Sequence, residues 1–326
     1  MIEKITKQFY SEEGAKRAYR QLNSLMHLNH ADSSIIQLLN VYTPNENFNM
    51  LNELYLVKNY VSYDLSQLVS RRYQLTEANI QMIIYCVLRA LKYVHSAGIV
   101  NLKLKTSDIG IDNESNIYLL KTHSTPAWHS EYEGQYDRTS APEAIMCDEK
   151  FCTEKYDIWS VGCIMAELLL YKPLFSTDHC IAYLKSIIEI MGTPGEQYLN
   201  ELCMSDLRAN IINNIGIKKK QDFQLLFPNL SAQGIDCLAS LLEFDFRNRP
   251  TADQALRHPF FRFYHDPADE PVALPLNDEN ETHSLVEWKR IVWKRMRSFQ
   301  QPPWLFENEE VDAQLLVGIR SNSLAA

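Results

Sequence analysis

The fold of this chain is decided by residues 80–121, which read IQMIIYCVLRALKYVHSAGIVNLKLKTSDIGIDNESNIYLLK. Its first part repeats apolar residues at the spacing of one buried helical face, and this spacing predicts a long helix that ends at Gly98. The second part, after a polar loop at 101–108, carries two short apolar runs around an acidic turn at 112–116. Such a pattern predicts a tight hairpin. The apolar helix positions are Ile80, Ile83, Ile84, Val87, Leu88, Leu91 and Val94.

Four further stretches give this region its context. They are LKYVHSAG at 91–98, DIWSVGCIMAELL at 157–169, MGTPG at 191–195 and YHDPADEPV at 264–272. In this order they resemble the eukaryotic protein kinases, and most closely the stress-activated mitogen-activated protein (MAP) kinases. The resemblance runs from the first residue to about Trp304. It implies an α+β, bilobal protein-kinase-like fold, with a truncated N-terminal β lobe and a mainly α-helical C-terminal lobe.

The resemblance also divides the chain into segments. It implies a truncated small lobe at 1–58, a helical large lobe at 59–261, a MAP-kinase-type extension at 262–306 and a flexible tail at 307–326. Residues 1–9 match the third strand of the kinase small lobe, so this sequence lacks the glycine-rich loop, and an incomplete gene model is the mundane alternative. Apolar spacing further predicts a helix at 12–28 and an amphipathic helix at 285–299, and the resemblance implies small-lobe strands at 35–41 and 53–57.

Composition narrows the broad class of protein but does not decide the function. The 326 residues are enough for two lobes, and no apolar run is long enough to cross a bilayer. A net charge of −9 argues against general nucleic-acid binding and favours basic partners. Seven scattered cysteines without metal-ligand spacing indicate reduced thiols, as expected in the cytoplasm or the nucleus.

The resemblance places altered residues at the nucleotide-site positions of the small lobe. The phosphate-pairing lysine of the strand is Glu3, and its helix partner, a glutamate in the family, is Gln21. The neighbouring Lys4 faces the other side of the sheet unless the register slips. Lys58 falls at the gatekeeper position beside the adenine pocket, where its ammonium is either desolvated or turned to water. An ordinary exposed lysine at a strand end is an equal alternative.

The catalytic loop is altered as well. The family's His-Arg-Asp becomes Asn101-Leu102-Lys103, so a protonated lysine stands in place of the general base. Lys105 matches the lysine that contacts the transferred phosphate, and Asp108 replaces a metal-binding asparagine with a carboxylate that could still bind a metal. The metal-binding aspartate of the Asp-Phe-Gly motif becomes Lys121, which sets an ammonium against magnesium. The place of the phosphorylated Thr-Gly-Tyr motif falls on Glu131-Tyr132-Glu133, so Glu131 and Glu133 stand where the phosphates would be, and a drifted, solvated loop is favoured over phosphate mimicry.

Other positions keep the residue type of the family. Glu143 and Arg249 match the ion pair that holds the large lobe together, and Asp157 matches the aspartate that holds the catalytic loop. Four acidic residues fall on the docking surface that receives basic motifs of upstream kinases, phosphatases and substrates: Asp266, Asp269, Glu270 and Glu114. An acidic cluster is usually just a solvated surface, but the position of this one relative to Tyr264-His265 makes docking an equal alternative.

These observations favour a catalytically impaired MAP-kinase-like protein that needs no cofactor. It would act by docking to MAP kinase kinases, phosphatases or substrates, without membrane or nucleic-acid partners. The alternatives are an active serine/threonine kinase using ATP and Mg²⁺, and a decaying duplicate without a selected role. Weak or absent ATP binding is expected because Glu3 and Lys121 replace residues that bind phosphate and metal.

Overall fold

A computed structural model describes residues 1–30, 33–102, 104–121, 137–147, 153–175, 180–203, 207, 211–277 and 282–302. These residues form two compact units. The small unit takes its residues from 1–31, 37–59 and 278–326, and the large unit from 32–36 and 60–277. Residues of the predicted extension occur in both units, and the predicted segment boundaries stay predictions.

The described residues of the small unit form a three-stranded antiparallel sheet and two α-helices. The strands are β1 (Ile2–Ile5), β2 (Leu38–Tyr42) and β3 (Leu54–Lys58), with β3 in the centre. Helix α1 (Glu12–His27) begins at Ser11, whose side chain accepts a hydrogen bond from the Gly14 N–H. The last helix among the described residues, α11 (Leu285–Arg297), belongs to the same unit and packs against α1.

The large unit is mainly helical. The α-helices with described bounds in this unit are α2 (Leu65–Ser70), α3 (Glu77–Ser96), α4 (Glu143–Met146), α5 (Glu154–Leu170), α6 (Cys180–Met191), α7 (Glu196–Glu201), α8 (Phe223–Leu226), α9 (Ala232–Leu241) and α10 (Ala252–Leu256). A small sheet joins β4 (Tyr63–Asp64), β5 (Ile109–Ile111) and β6 (Ile117–Leu119). None of the described helices is long and apolar enough to span a membrane.

Helix α3 and the β5–β6 hairpin match the sequence prediction closely. All seven predicted apolar positions of α3 are buried, and Thr76 closes its N-terminus with Asn79 in a capping box. Gly98 ends the helical segment in the left-handed conformation with φ of 76°. The strand predicted at 35–41 is shorter, because Ile36 donates its N–H to Leu119 in the large unit and β2 begins only at Leu38.

The core of the large unit surrounds α5. Trp159 on this helix is completely buried, as predicted, and stacks on Phe175 with 5.5 Å between ring centroids. The Arg249 guanidinium lies over the Trp159 ring, 5.2 Å from its centroid. This packing fixes α5, and α5 in turn positions the loop that precedes the β5–β6 hairpin.

Candidate functional site

Three polar side chains meet inside the small unit at the positions predicted for nucleotide contacts. The Lys58 ammonium lies 2.5 Å from the Glu3 carboxylate, and the Gln21 side-chain amide donates to the same carboxylate over 3.1 Å. Lys58 is only 3% exposed. The predictions of an exposed or outward-turned lysine are therefore wrong, and its ammonium is desolvated and ion-paired.

The strand register explains this arrangement. Glu3 pairs with Leu56, and Lys58 lies two residues further along β3 on the same face. Lys4 faces the other side, where its ammonium lies 2.6 Å from Glu53. An active kinase site is expected to have a lysine–glutamate ion pair between this strand and this helix. Here the contact between β1 and α1 is instead a hydrogen bond from a neutral amide to a carboxylate, and the cation is a residue of β3.

In the large unit, Asp157 holds the polar loop that follows α3. Its two carboxylate oxygens accept the backbone N–H groups of Asn101 and Leu102, both over 2.9 Å. The His95 Nε2 atom lies 2.8 Å from the same side chain. Leu102 has φ of 55°, which a non-glycine residue rarely adopts, so these hydrogen bonds stabilise a strained backbone.

The β5–β6 hairpin brings two of the predicted chemical residues together. Asp108 ends a 3₁₀ turn at Thr106–Asp108, and Lys121 follows β6. The Lys121 ammonium lies 3.3 Å from the Asp108 carboxylate. Lys105 begins the turn and its side chain is exposed. Lys103, Glu131 and Glu133 lie outside the described residues, so their predicted roles have no structural account.

Magnesium and ATP are the groups that the resemblance implies for an active enzyme. Mg²⁺ prefers several hard oxygen ligands, including carboxylates. Within the described ranges, no group of three or more His, Cys, Asp or Glu side chains could hold a metal ion. Asp108 is the carboxylate present at the predicted site, and in the described part of the chain its ion-pair partner is the Lys121 ammonium rather than a metal-binding group. This set of residues does not fit a Mg²⁺ site.

Glu143 and Arg249 form a fully buried pair. Two guanidinium nitrogens donate to the two carboxylate oxygens of Glu143, over 2.8 and 3.1 Å. The same guanidinium also donates to the backbone carbonyls of Lys155 and Glu243. These hydrogen bonds connect α4 and α5 to the segment before α10. Both charged groups are paired, and this offsets the free-energy cost of burying them.

The predicted acidic docking residues have different environments. Glu270 is buried, and its carboxylate lies 2.9 Å from the Lys92 ammonium and 2.7 Å from His265 Nδ1. Asp269 is exposed and lies 2.5 Å from an Arg89 guanidinium nitrogen. Asp266 is exposed and accepts the Ala268 N–H. Glu114 is exposed on the turn between β5 and β6.

Sequence reasoning missed the residues that neutralise this acidic segment. Arg89 and Lys92 lie three residues apart on α3, which places both on one helical face. Tyr85 on the same helix donates to Glu270 over 3.2 Å, and burial together with the Glu270 charge raises the pKa of Tyr85 to about 12. The cationic i, i+3 pair on an otherwise apolar helix was the available signal.

Comparison with known proteins agrees with this geometry. A model of the protein kinase domain matches residues 2–261. The chain is 37% identical over 318 residues to mitogen-activated protein kinase pmk-1 of Caenorhabditis elegans, covering 96% of this chain and 82% of that protein. It is 37% identical to mitogen-activated protein kinase 14 of Xenopus laevis, covering 96% and 86% of the two chains. Mitogen-activated protein kinase 12 of Homo sapiens is 35% identical over 306 residues, covering 92% and 82%.

These findings confirm the predicted α+β fold class, with a small β-sheet unit and a mainly helical unit, and the predicted resemblance to MAP kinases. The matched region contains Asp157 with the loop that it holds, the Glu143–Arg249 pair, and Asp108 with the β5–β6 hairpin. The chain belongs to the protein kinases and, within them, to the MAP kinase family.

Proposed function

We propose that this protein is a pseudokinase of the stress-activated MAP kinase type, which acts by binding other proteins rather than by phosphoryl transfer. The observation that carries the proposal is the 3.3 Å contact between Lys121 and Asp108. An ammonium at this place opposes the divalent cation that phosphoryl transfer requires. Exchanging a carboxylate for an ammonium changes the local charge by two units against the metal.

The small unit supports the same proposal. In the kinase family a strand lysine pairs with nucleotide phosphates. Here that position is Glu3, whose carboxylate is engaged by Lys58 and Gln21. A carboxylate repels phosphate, so this position cannot supply the attraction that the family's lysine supplies.

Docking is the remaining activity that the residues support. Asp266, Asp269 and Glu114 are exposed acids of the large unit, of which Asp269 also pairs with Arg89, and the whole chain has a net charge of −9. These charges favour basic docking segments of MAP kinase kinases, phosphatases or substrates in the cytoplasm or the nucleus. Glu270 is buried against Lys92, so we assign it to the packing of the segment rather than to partner contact.

Thermal unfolding of the purified protein tests the two halves of the proposal separately. A ligand that binds only the folded state raises the melting temperature. We expect a synthetic peptide rich in basic and apolar residues to raise it, and ATP with Mg²⁺ to leave it unchanged. A Mg²⁺-dependent shift with ATP, followed by phosphate transfer to a protein substrate, would show instead an active serine/threonine kinase.

Charge reversal locates the docking surface. Calorimetric titration should show that the double variant Asp266→Lys, Asp269→Lys loses affinity for the basic peptide. The control is Asp236→Lys, which reverses one charge at a carboxylate that is 81% exposed elsewhere in the same unit. Equal peptide affinity in the double variant and the control would refute docking at this surface and favour a duplicate without a selected role.

A further inference from the structure

The environment of Asp108 is unusual for a charged side chain. It is 1% exposed, yet neither carboxylate oxygen has a hydrogen-bond partner in the described part of the chain. A buried carboxylate without donors is costly, because burial removes the water that would stabilise its charge. A nearby cation is therefore needed to keep Asp108 in this place.

The hairpin supplies that cation. Strands β5 and β6 pair with Ile109 opposite Leu119, and Leu120 donates its N–H to the Asp108 carbonyl over 2.8 Å. This register places Lys121 beside Asp108 across the hairpin. The Lys121 side chain is 54% exposed and the Asp108 side chain 1%, so the pair joins a buried carboxylate to a partly solvated lysine. The turn that sets the register is itself fixed, since the Asp112 side chain accepts the N–H groups of Glu114 and Asn116.

We infer that Lys121 is a built-in counter-cation, which occupies the place of a divalent metal ion at Asp108 and excludes such an ion from it. The inference rests on the proposed function and deepens it, because it explains how the buried Asp108 carboxylate is stabilised by a side chain of the same chain. The ion that Lys121 would exclude is a hard divalent cation, because such cations prefer carboxylate oxygens as ligands.

Titration with Mn²⁺, followed by the electron paramagnetic resonance signal of the free ion, tests the inference directly. Wild-type protein should bind Mn²⁺ no more tightly than Asp108→Asn. Lys121→Asp places a second carboxylate beside the first and should raise the affinity by about tenfold or more, from the change in local charge. Adding Asp108→Asn to that variant should abolish the gain. The matched control is Lys105→Asp, which makes the same charge change at an exposed lysine of the same loop and should give no gain.

A stability cycle covers the case in which Lys121→Asp does not fold. Lys121→Met should lower the melting temperature by about 2 to 4 °C, because Asp108 loses its counter-ion. Combining it with Asp108→Asn should recover most of that loss. An unchanged melting temperature in Lys121→Met would overturn the inference, as would wild-type Mn²⁺ binding that disappears in Asp108→Asn.

These outcomes are separable from those of the proposed function. Binding of the basic peptide depends on Asp266 and Asp269, and none of the variants above alters either residue. If the peptide fails to bind while Lys121→Asp gains a Mn²⁺ site, docking is refuted and the counter-cation stands. If wild-type protein binds Mn²⁺ through Asp108 and still binds the peptide, the reverse holds.

Discussion

Glu3 and Lys58 face each other diagonally across two antiparallel strands. Diagonal neighbours on one face of a sheet are within reach of long side chains, and here the ammonium and the carboxylate are 2.5 Å apart. The two partners differ in exposure, since the Lys58 side chain is 4% exposed and the Glu3 side chain is 38% exposed. Breaking the pair should therefore cost more when the buried cation is the one left behind.

This asymmetry gives a prediction for three variants. Glu3→Gln leaves a buried ammonium and should lower the free energy of unfolding by about 2–4 kcal/mol. Lys58→Met leaves a carboxylate that reaches water and should cost about 1–2 kcal/mol. The double variant should lie close to wild type, because no buried charge lacks a partner. Urea unfolding of all four proteins measures these differences.

The control for this cycle is Lys4→Ala on the same strand. Lys4 pairs with Glu53 at the surface, with its side chain 48% exposed, and such pairs contribute about 1 kcal/mol or less. A double variant that is as unstable as Glu3→Gln would show that the pair does not act as a unit.

Asp157 acts on the backbone rather than on another charge. Its oxygens accept two buried N–H groups, one of them from the strained Leu102. In Asp157→Asn one of these oxygens becomes an NH₂ group that faces another donor, and the free energy of unfolding should fall by about 2–4 kcal/mol. Chemical unfolding measures the loss. Asp236→Asn, at an exposed carboxylate, is the control and should change stability by less than about 0.5 kcal/mol.

Sequence reasoning reached these residues unequally. The spacing of apolar residues defines α3 and the β5–β6 hairpin, because burial follows the period of the backbone. Whether Lys58 is buried or exposed depends on which residue of β1 lies near it. That register joins strands that are far apart in the sequence, so local spacing does not reveal it. Seen alone, Lys58 could equally be an exposed strand end, and only the pairing of Glu3 with Leu56 decides between the two.

At the scale of elements, α11 shows which residues of the predicted amphipathic stripe are buried in the folded protein. Trp288, Val292 and Met296 are buried, as the predicted stripe requires, whereas Leu285 and Phe299 at its ends are partly exposed. The Trp288 ring lies 5.5 Å from the Tyr19 ring of α1. The small unit therefore gains a large part of its core from a helix far away in the sequence.

Replacement of tryptophans on this helix separates burial from size. Trp288→Ala should lower the free energy of unfolding by about 3–5 kcal/mol, because it opens a cavity against α1. Trp293→Ala is the matched control on the same helix, where the ring is partly exposed beside Arg297, and it should cost about 1 kcal/mol. Differential scanning calorimetry of both variants measures the contrast, and equal losses would contradict the packing described here.

The junction between α3 and α10 predicts a dependence on pH. The hydrogen bond from Lys92, 2.8 Å away, lowers the pKa of Asp253 below its ordinary value of 3.8. A carboxyl whose pKa is lower in the folded state stabilises the fold above its ordinary value, and this stabilisation is lost as the pH falls through the folded-state value.

Asp253→Asn should therefore be less stable than wild type near neutral pH, by about 0.5–1 kcal/mol after allowance for solvent screening. The difference should shrink below about pH 4 as the wild-type carboxyl becomes protonated. Urea unfolding at pH 7 and pH 3.5 measures both points. A difference that grows at the lower pH would have the wrong sign for a lowered pKa.

At the scale of the whole molecule, charge distribution decides which partners can approach. The chain has 41 acidic and 32 basic residues. Its acids are not equivalent, because Glu270 is neutralised by Lys92 within the fold, whereas Asp266 and Glu114 face solvent. Composition predicts the sign of the field, but it cannot tell which carboxylates are available, since that depends on the cations that the fold places beside them.

Attraction between this acidic surface and a basic peptide should weaken with salt. The Debye length falls from about 10 Å at 0.1 M to about 3 Å at 1 M ionic strength, so exposed charges interact over a shorter range. Calorimetric titration should show that affinity falls by about tenfold or more between 0.05 and 0.5 M NaCl. A peptide with its basic residues changed to serine is the control, and its weaker binding should hardly depend on salt. Salt-independent binding of the basic peptide would mean that apolar contacts, rather than the exposed acids of the large unit, hold the partner.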